Sequence, residues 1–193
     1  DSLVIRSQKG ASSTTINAQG QGRHFNLIAS DRDIDSSFQF IGLTFRGGYS
    51  NERGGSFTIE STPQGFDSPV VQPKFTDCVF THNSASDNEF VAMGGAIYTY
   101  NASPIFENCV FDTNFSNRGG AIFSSGDIYD DIGPMYIRNS TFRNNSVQNN
   151  DGNPNSMGGA IFIQIATCII VTTLCKTIPS CFETLTLYWS ERT

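Results

Sequence analysis

Apolar residues return along this chain on a regular beat. Align the sequence on Phe45, Phe80, Phe111 and Phe142, and the steps between them are 35, 31 and 31 residues. Five residues upstream stand Phe40, Phe75, Phe106 and Ile137. Two upstream stand Leu43, Cys78, Cys109 and Ser140. Three downstream stand Gly48, Asn83, Asn114 and Asn145, so the block reads Phe-x-x-Asn, with Gly in its first copy. Residues two apart on a strand point to the same side, which places Phe111 and Cys109 together. A second signature follows each block: Gly54-Gly55-Ser56-Phe57, Gly94-Gly95-Ala96-Ile97, Gly119-Gly120-Ala121-Ile122 and Gly158-Gly159-Ala160-Ile161. The distance from Phe to the first Gly varies, at 9, 14, 8 and 16 residues. Constant strands joined by variable links are the mark of a solenoid, whose stacked strands cannot absorb insertions.

These elements predict an all-β fold, a right-handed single-stranded parallel β-helix of about five to six coils. Like residues on adjacent coils lie about 4.8 Å apart. Phe45, Phe80, Phe111 and Phe142 then form an interior ladder. Asn83, Asn114 and Asn145 suit a left-handed turn and can also bond to one another along the stack. Gly94, Gly95, Gly119, Gly120, Gly158 and Gly159 supply a positive φ or a close backbone approach. In the Gly-Gly-Ala-Ile strand, Phe57, Ile97, Ile122 and Ile161 are expected inside, and Thr58, Tyr98, Phe123 and Phe162 outside. The opposite assignment remains open, because Ala also fills interiors. An α-solenoid needs a sustained 3.6 period that no segment shows. A propeller needs four antiparallel strands per repeat, and only two are clear.

Composition agrees with strands and turns. Charged residues make up 16% and apolar residues 38%, with 18 Gly. The net charge is −6, and the 12 basic residues are scattered rather than clustered. Phosphate-backbone binding needs basic clusters, so nucleic acid is not an expected partner. Five Cys with no CxxC pair argue against zinc. Cys78 and Cys109 share a repeat position, which favours packing over a disulfide between coils. No transmembrane helix is expected; the longest candidate, Ile165 to Leu174, is too short and too rich in Thr.

The pairing of Phe-x-x-Asn with Gly-Gly-Ala-Ile resembles the repeat of the chlamydial polymorphic outer-membrane proteins. It is also similar to right-handed β-helix repeats of other bacteria and some protists, within the pectin-lyase-like fold. The matching segments are Phe80 to Asn83 with Gly94 to Ile97, Phe111 to Asn114 with Gly119 to Ile122, and Phe142 to Asn145 with Gly158 to Ile161. The Phe45 block matches in degenerate form. The opening, with Ile16-Asn17-Ala18 and Gly20-Gln21-Gly22-Arg23, looks like the first coils of such proteins. The resemblance covers residues 1–164. It implies a surface or secreted protein, outer-membrane associated if bacterial, with adhesin-like or passenger roles. It carries over no catalytic residues.

The pattern stops at residue 164. Residues 165–193 contain no Gly, Asn or Asp, yet hold Cys168, Cys175, Cys181 and the only Trp, Trp189. This tail is expected either to cap the open end of the solenoid or to be foreign to the natural fold, as a frame shift or unspliced intron would make it. The second reading is favoured. Thr184-Leu185-Thr186-Leu187 alternates like a strand in either case. The opening Asp1-Ser2-Leu3-Val4-Ile5 reads as mid-strand with no signal peptide, which suggests a fragment.

Candidate chemistry is sparse. Asp127, Asp130 and Asp131 cluster in one link, a residue set that can bind Ca²⁺ or act as acid and base on polysaccharide. An ordinary polar turn is the preferred reading. Asp31, Asp33 and Asp35 suggest a hard-cation site but read better as a solvated loop. His24 and His82 read as surface or turn residues. Sequons stand at Asn101, Asn114, Asn139 and Asn144; Asn101 is weakened by Pro104, and Asn114 belongs to the ladder. An outward Tyr98, Phe123 and Phe162 would form an aromatic stripe able to stack on sugars, although a core ladder or a contact with a neighbouring link is preferred. The function expected is a non-catalytic surface or secreted scaffold, binding carbohydrate or protein through its loops without a cofactor. The alternative is a polysaccharide lyase or hydrolase using loop carboxylates.

Overall fold

In the computed structural model, the described residues are 2–62, 69–86, 92–127, 133–147, 157–164, 166, 168–171 and, for the backbone alone, 174–176. Every regular element among them is a strand, and every strand pairing is parallel. The chain opens with β1 (Val4–Arg6), β2 (Thr15–Asn17) and β3 (Phe25–Ala29). The next turn is β4 (Gln39–Ile41), β5 (Thr44–Arg46), β6 (Tyr49–Ser50) and β7 (Phe57–Ser61). It repeats as β8 (Lys74–Thr76), β9 (Val79–Thr81), β10 (Ser84–Ala85) and β11 (Ile97–Tyr100). Then come β12 (Ile105–Glu107), β13 (Val110–Asp112), β14 (Phe115–Ser116) and β15 (Ile122–Ser125). The last complete turn is β16 (Met135–Arg138), β17 (Thr141–Arg143), β18 (Ser146–Val147) and β19 (Ile161–Gln164), followed by β20 (Cys168–Val171) and β21 (Leu174–Lys176).

Four sheets result: β1-β4-β8-β12-β16-β20, β2-β5-β9-β13-β17-β21, β6-β10-β14-β18 and β3-β7-β11-β15-β19. This is a parallel β-solenoid of four complete turns rather than five to six. The first turn lacks the short third strand, and between its β2 and β3 stands the positive-φ pair Gln19 and Gly20. Beyond β19 only two strands are described. Those two, β20 and β21, lie within the atypical tail and pair with β16 and β17. Thr184 to Leu187, Cys181 and Trp189 lie outside the described residues.

The shaft is built from columns of one residue type. Phe45, Phe80, Phe111 and Phe142 stack at 5.3, 4.8 and 4.6 Å between centroids. Phe40, Phe75 and Phe106 form a second column at 5.1 Å per step. Within a column the strand spacing imposes near-parallel rings. Between columns the rings meet edge to face, as Phe106 and Phe111 do at 78°, the arrangement their quadrupoles favour. Phe57, Ile97, Ile122 and Ile161 line the same shaft, with Ala96, Ala121 and Ala160 beside them.

Single left-handed residues make the corners. Between the first two strands of each complete turn stand Gly42, Asp77, Asn108 and Asn139, all at positive φ. After each stands an inward residue, Leu43, Cys78, Cys109 or Ser140. Cys78 and Cys109 are buried free thiols. The second corner corrects an expectation. The left-handed residue is Gly47, His82, Thr113 or Asn144, one position before the Phe-x-x-Asn asparagine. Asn83, Asn114 and Asn145 instead point inward and are buried. The residue that turns the chain sends its side chain to solvent, and the next is free to bond inside.

Those inward bonds form a continuous ladder. Asn83 Nδ2 donates to Asn114 Oδ1 at 3.0 Å, and Asn114 Nδ2 to Asn145 Oδ1 at 2.9 Å. Each amide also donates to a backbone carbonyl of the turn before, Phe45, Phe80 or Phe111. The glycine pair divides its labour. Gly54, Gly94, Gly119 and Gly158 take positive φ. At Gly55, Gly95 and Gly120 a Cβ would fall on the carbonyl oxygen of Gly95, Gly120 and Gly159.

Candidate functional site

In the four complete turns the corners joining the first three strands are constant in length. Every variable link enters or leaves the sheet β3-β7-β11-β15-β19. The outer face of that sheet is therefore bordered on both sides by the segments free to differ. Register fixes two columns on it. One runs Asn26, Thr58, Tyr98, Phe123, Phe162; the other runs Ile28, Glu60, Tyr100, Ser125, Gln164. Beside them, single bridges align Arg53, Met93, Arg118 and Met157.

Tyr98, Phe123 and Phe162 stack outside the shaft, with centroids 5.6 and 5.3 Å apart. They form a satellite cluster with Met93, Tyr100 and Met157 packed against it. Their exposures are only 3, 2 and 9%. The ring faces are occupied by one another, so a flat ligand meets this stack only where covering residues move aside.

At the Tyr98 end the stack becomes polar. The next residue in the column is Thr58, and the Arg53 guanidinium lies over the Tyr98 ring at 5.0 Å. That cation–π contact continues the stack with a charge. Arg53 Nη1 also lies 3.9 Å from Glu60 Oε1. Burial pushes the Glu60 carboxyl above its ordinary range, against the opposing pull of Arg53 and Arg23. Arg23 fixes the floor. Its Nη1 donates to Asn26 Oδ1 at 2.8 Å, its Nη2 to Ser50 Oγ at 2.8 Å and the Arg53 carbonyl at 2.7 Å, and its Nε to the Gly54 carbonyl at 3.2 Å. Burial lowers the Arg23 pKa and raises that of Tyr98. Among the described residues Thr58 Oγ1 is buried with no hydrogen-bond partner. The result is a shelf of two guanidiniums, a carboxylate, an amide and an exposed Ile28 against an aromatic wall. Such a set suits a hydroxylated or anionic ligand held by hydrogen bonds.

The sequence reading did not identify Arg23, Asn26, Arg53, Thr58 or Glu60 as site residues. A signal was present: Arg53 immediately precedes Gly54-Gly55, as Met93, Arg118 and Met157 precede theirs. Other candidates lie elsewhere. Asp127 is exposed, and its backbone N–H donates to Asn101 Oδ1 at 2.6 Å. Asp130 and Asp131 lie outside the described residues. Asp33 Oδ1 accepts the Val70 N–H and Asp35 Oδ1 the Ser37 N–H, so both carboxylates hold loops. No group of three or more His, Cys, Asp or Glu suited to a metal occurs among the described residues. His82 is exposed beside Thr81 Oγ1, whereas His24 is half-buried between Ser56 Oγ and the Ile16 carbonyl. No described helix is long and apolar enough to cross a membrane. No family model, curated protein or solved structure matches the chain.

Proposed function

We propose that this chain is a non-catalytic β-helix scaffold, displayed at a cell surface or secreted, of the adhesin or passenger kind. Its Phe-x-x-Asn and Gly-Gly-Ala-Ile motifs resemble the polymorphic outer-membrane repeat, and its parallel β-solenoid is compatible with that resemblance. Its partner is a carbohydrate or a protein surface, met on the outer face of β3-β7-β11-β15-β19 and on the links around it. The observation that carries this reading is the confinement of all length variation in the complete turns to the borders of one sheet. A rigid stack that varies on one side alone divides into a scaffold and a presenting surface. The Arg23, Arg53 and Glu60 shelf supplies polar, partly exposed contacts on that side.

The test is binding of the purified chain to arrays of glycans and to intact cells, with two variants in parallel. One shortens the 86–96 link to the length of 117–121; the other is Arg53→Ala. Binding that drops about tenfold or more in either variant, with the unfolding midpoint unchanged, supports the reading. A chain that binds no array member and no cell, or that cleaves an acidic polysaccharide, overturns it.

A further inference from the structure

The fold separates the four Asn-x-Ser/Thr sequons into two classes. Asn114 is fully buried, and its Nδ2 spends both protons, on the Phe80 carbonyl at 3.0 Å and Asn145 Oδ1 at 2.9 Å. Its Oδ1 accepts from the Asn83 backbone N–H and Nδ2 at 3.1 and 3.0 Å. A sugar there would replace a ladder proton and stand inside the shaft. Asn101 is 5% exposed, and its Oδ1 accepts the Asp127 N–H. Asn139 and Asn144 are different. Both are exposed, and both are the single left-handed residue of a corner, with φ of 48° and 55°. They bracket β17, on successive corners of one turn. Their hydroxyl partners also face away from the shaft: Thr141 is half-exposed on β17 and Ser146 is exposed on β18. Asn144 Nδ2 gives one proton to Asp112 Oδ1 at 3.0 Å, leaving the other position for substitution.

We infer that Asn139 and Asn144 are sites of N-linked glycosylation, and that Asn101 and Asn114 are not sites in the folded chain. The inference rests on the reading above that the chain is exported, here through a compartment that glycosylates asparagine. The co-reactant is an oligosaccharide carried on a lipid diphosphate. Asn Nδ2 attacks the anomeric carbon and forms the C–N bond; the C–O bond to the diphosphate breaks. Nδ2 releases one proton, and the lipid diphosphate leaves with the electron pair. Both glycans stand beside the sheet β2-β5-β9-β13-β17-β21, a different face from the Arg53 shelf, and so leave that shelf open.

The experiment is translation of the full chain behind a cleavable leader into microsomes, with import verified by protease protection. The expected result is a folded, protease-resistant product with two endoglycosidase-sensitive shifts on a gel. Asn139→Gln and Asn144→Gln each remove one shift, and peptide mapping places the sugars at those residues. An imported, folded product with no shift, or with sugar at Asn114 or Asn101, overturns the inference. Import is imposed by the leader, so this outcome is independent of whether the chain binds a surface ligand.

Discussion

Asn114 Nδ2 lies 2.9 Å from Asn145 Oδ1, in a column that begins where the Gly48 N–H donates to Asn83 Oδ1 at 2.8 Å. The ladder crosses the third sheet from inside and ties each turn to the next by side-chain and backbone bonds at once. Buried amides in such a chain are either fully satisfied or strongly destabilising.

Asn114→Ala therefore leaves the Asn83 N–H without its acceptor and takes one donor each from the Phe80 carbonyl and Asn145 Oδ1, the latter keeping the backbone N–H of residue 114. An orphaned buried group costs about 1–3 kcal/mol, and the losses are not fully additive. Urea unfolding should show a drop of roughly 2–3 kcal/mol. Asn144→Ala, on the next turn at the solvent corner just before Asn145, should lose under about 1 kcal/mol. Equal losses at the two positions would contradict the inward ladder.

Phe111 is sandwiched between Phe80 and Phe142 at 4.8 and 4.6 Å and meets Phe106 edge-on. Phe111→Ala should destabilise by about 3–5 kcal/mol through lost burial and the cavity left behind. Phe111→Leu should cost roughly half as much, since it refills part of that space. A Phe111→Ala variant within about 1 kcal/mol of the parent in denaturant titration would remove the ring from the shaft.

Gly95 and Gly22 make a matched contrast. A Cβ on Gly95 would fall against the Gly120 carbonyl and the backbone of Phe115, which cannot rotate away. At Gly22 a Cβ meets nothing within 4 Å. Gly95→Ala is expected to abolish cooperative folding by circular dichroism. Gly22→Ala should be neutral, or stabilising by up to about 1 kcal/mol through the unfolded chain. Tolerance of Ala at Gly95 would mean the turns are not packed this closely.

The sequence disclosed the columns because stacking forces one residue type to recur at one repeat position, and that is visible in a linear text. Phe45 to Phe142 and Asn83 to Asn145 belong to this class. Whether a corner falls on Asn or on the residue before it was not legible, because His82, Thr113 and Asn144 share no type. They share only exposure and a left-handed backbone, which Gly47 takes easily and the others tolerate. The shelf was hidden for a related reason. Glu60 stands alone among Ile28, Tyr100, Ser125 and Gln164, and Arg53 shares its column with Met93, Arg118 and Met157, so no constant residue type marks them; they meet Arg23 only through the stacking of the first turns.

His24 closes the first turn from within. Its Nε2 stands 3.0 Å from the Ile16 carbonyl, which can only accept, so that nitrogen carries the proton. Nδ1 then accepts from Ser56 Oγ at 2.9 Å, and the ring meets Phe45 edge-on at 5.5 Å. Burial lowers the His24 pKa below the ordinary 6.5, outweighing the bonds to backbone. The unfolded chain thus binds the proton more readily than the folded one. Stability is full above about pH 6.5, falls as pH drops through that value, and levels off below the depressed folded pKa. Glu60, with its raised pKa, works in the opposite sense, and it is present in parent and variant alike. Comparing the chain with His24→Gln therefore isolates the effect. The urea midpoint of the parent should decline more between pH 7 and pH 5 than that of the variant. Parallel midpoints across this window would mean that His24 is free to charge in the folded state, and that the first turn is open to water.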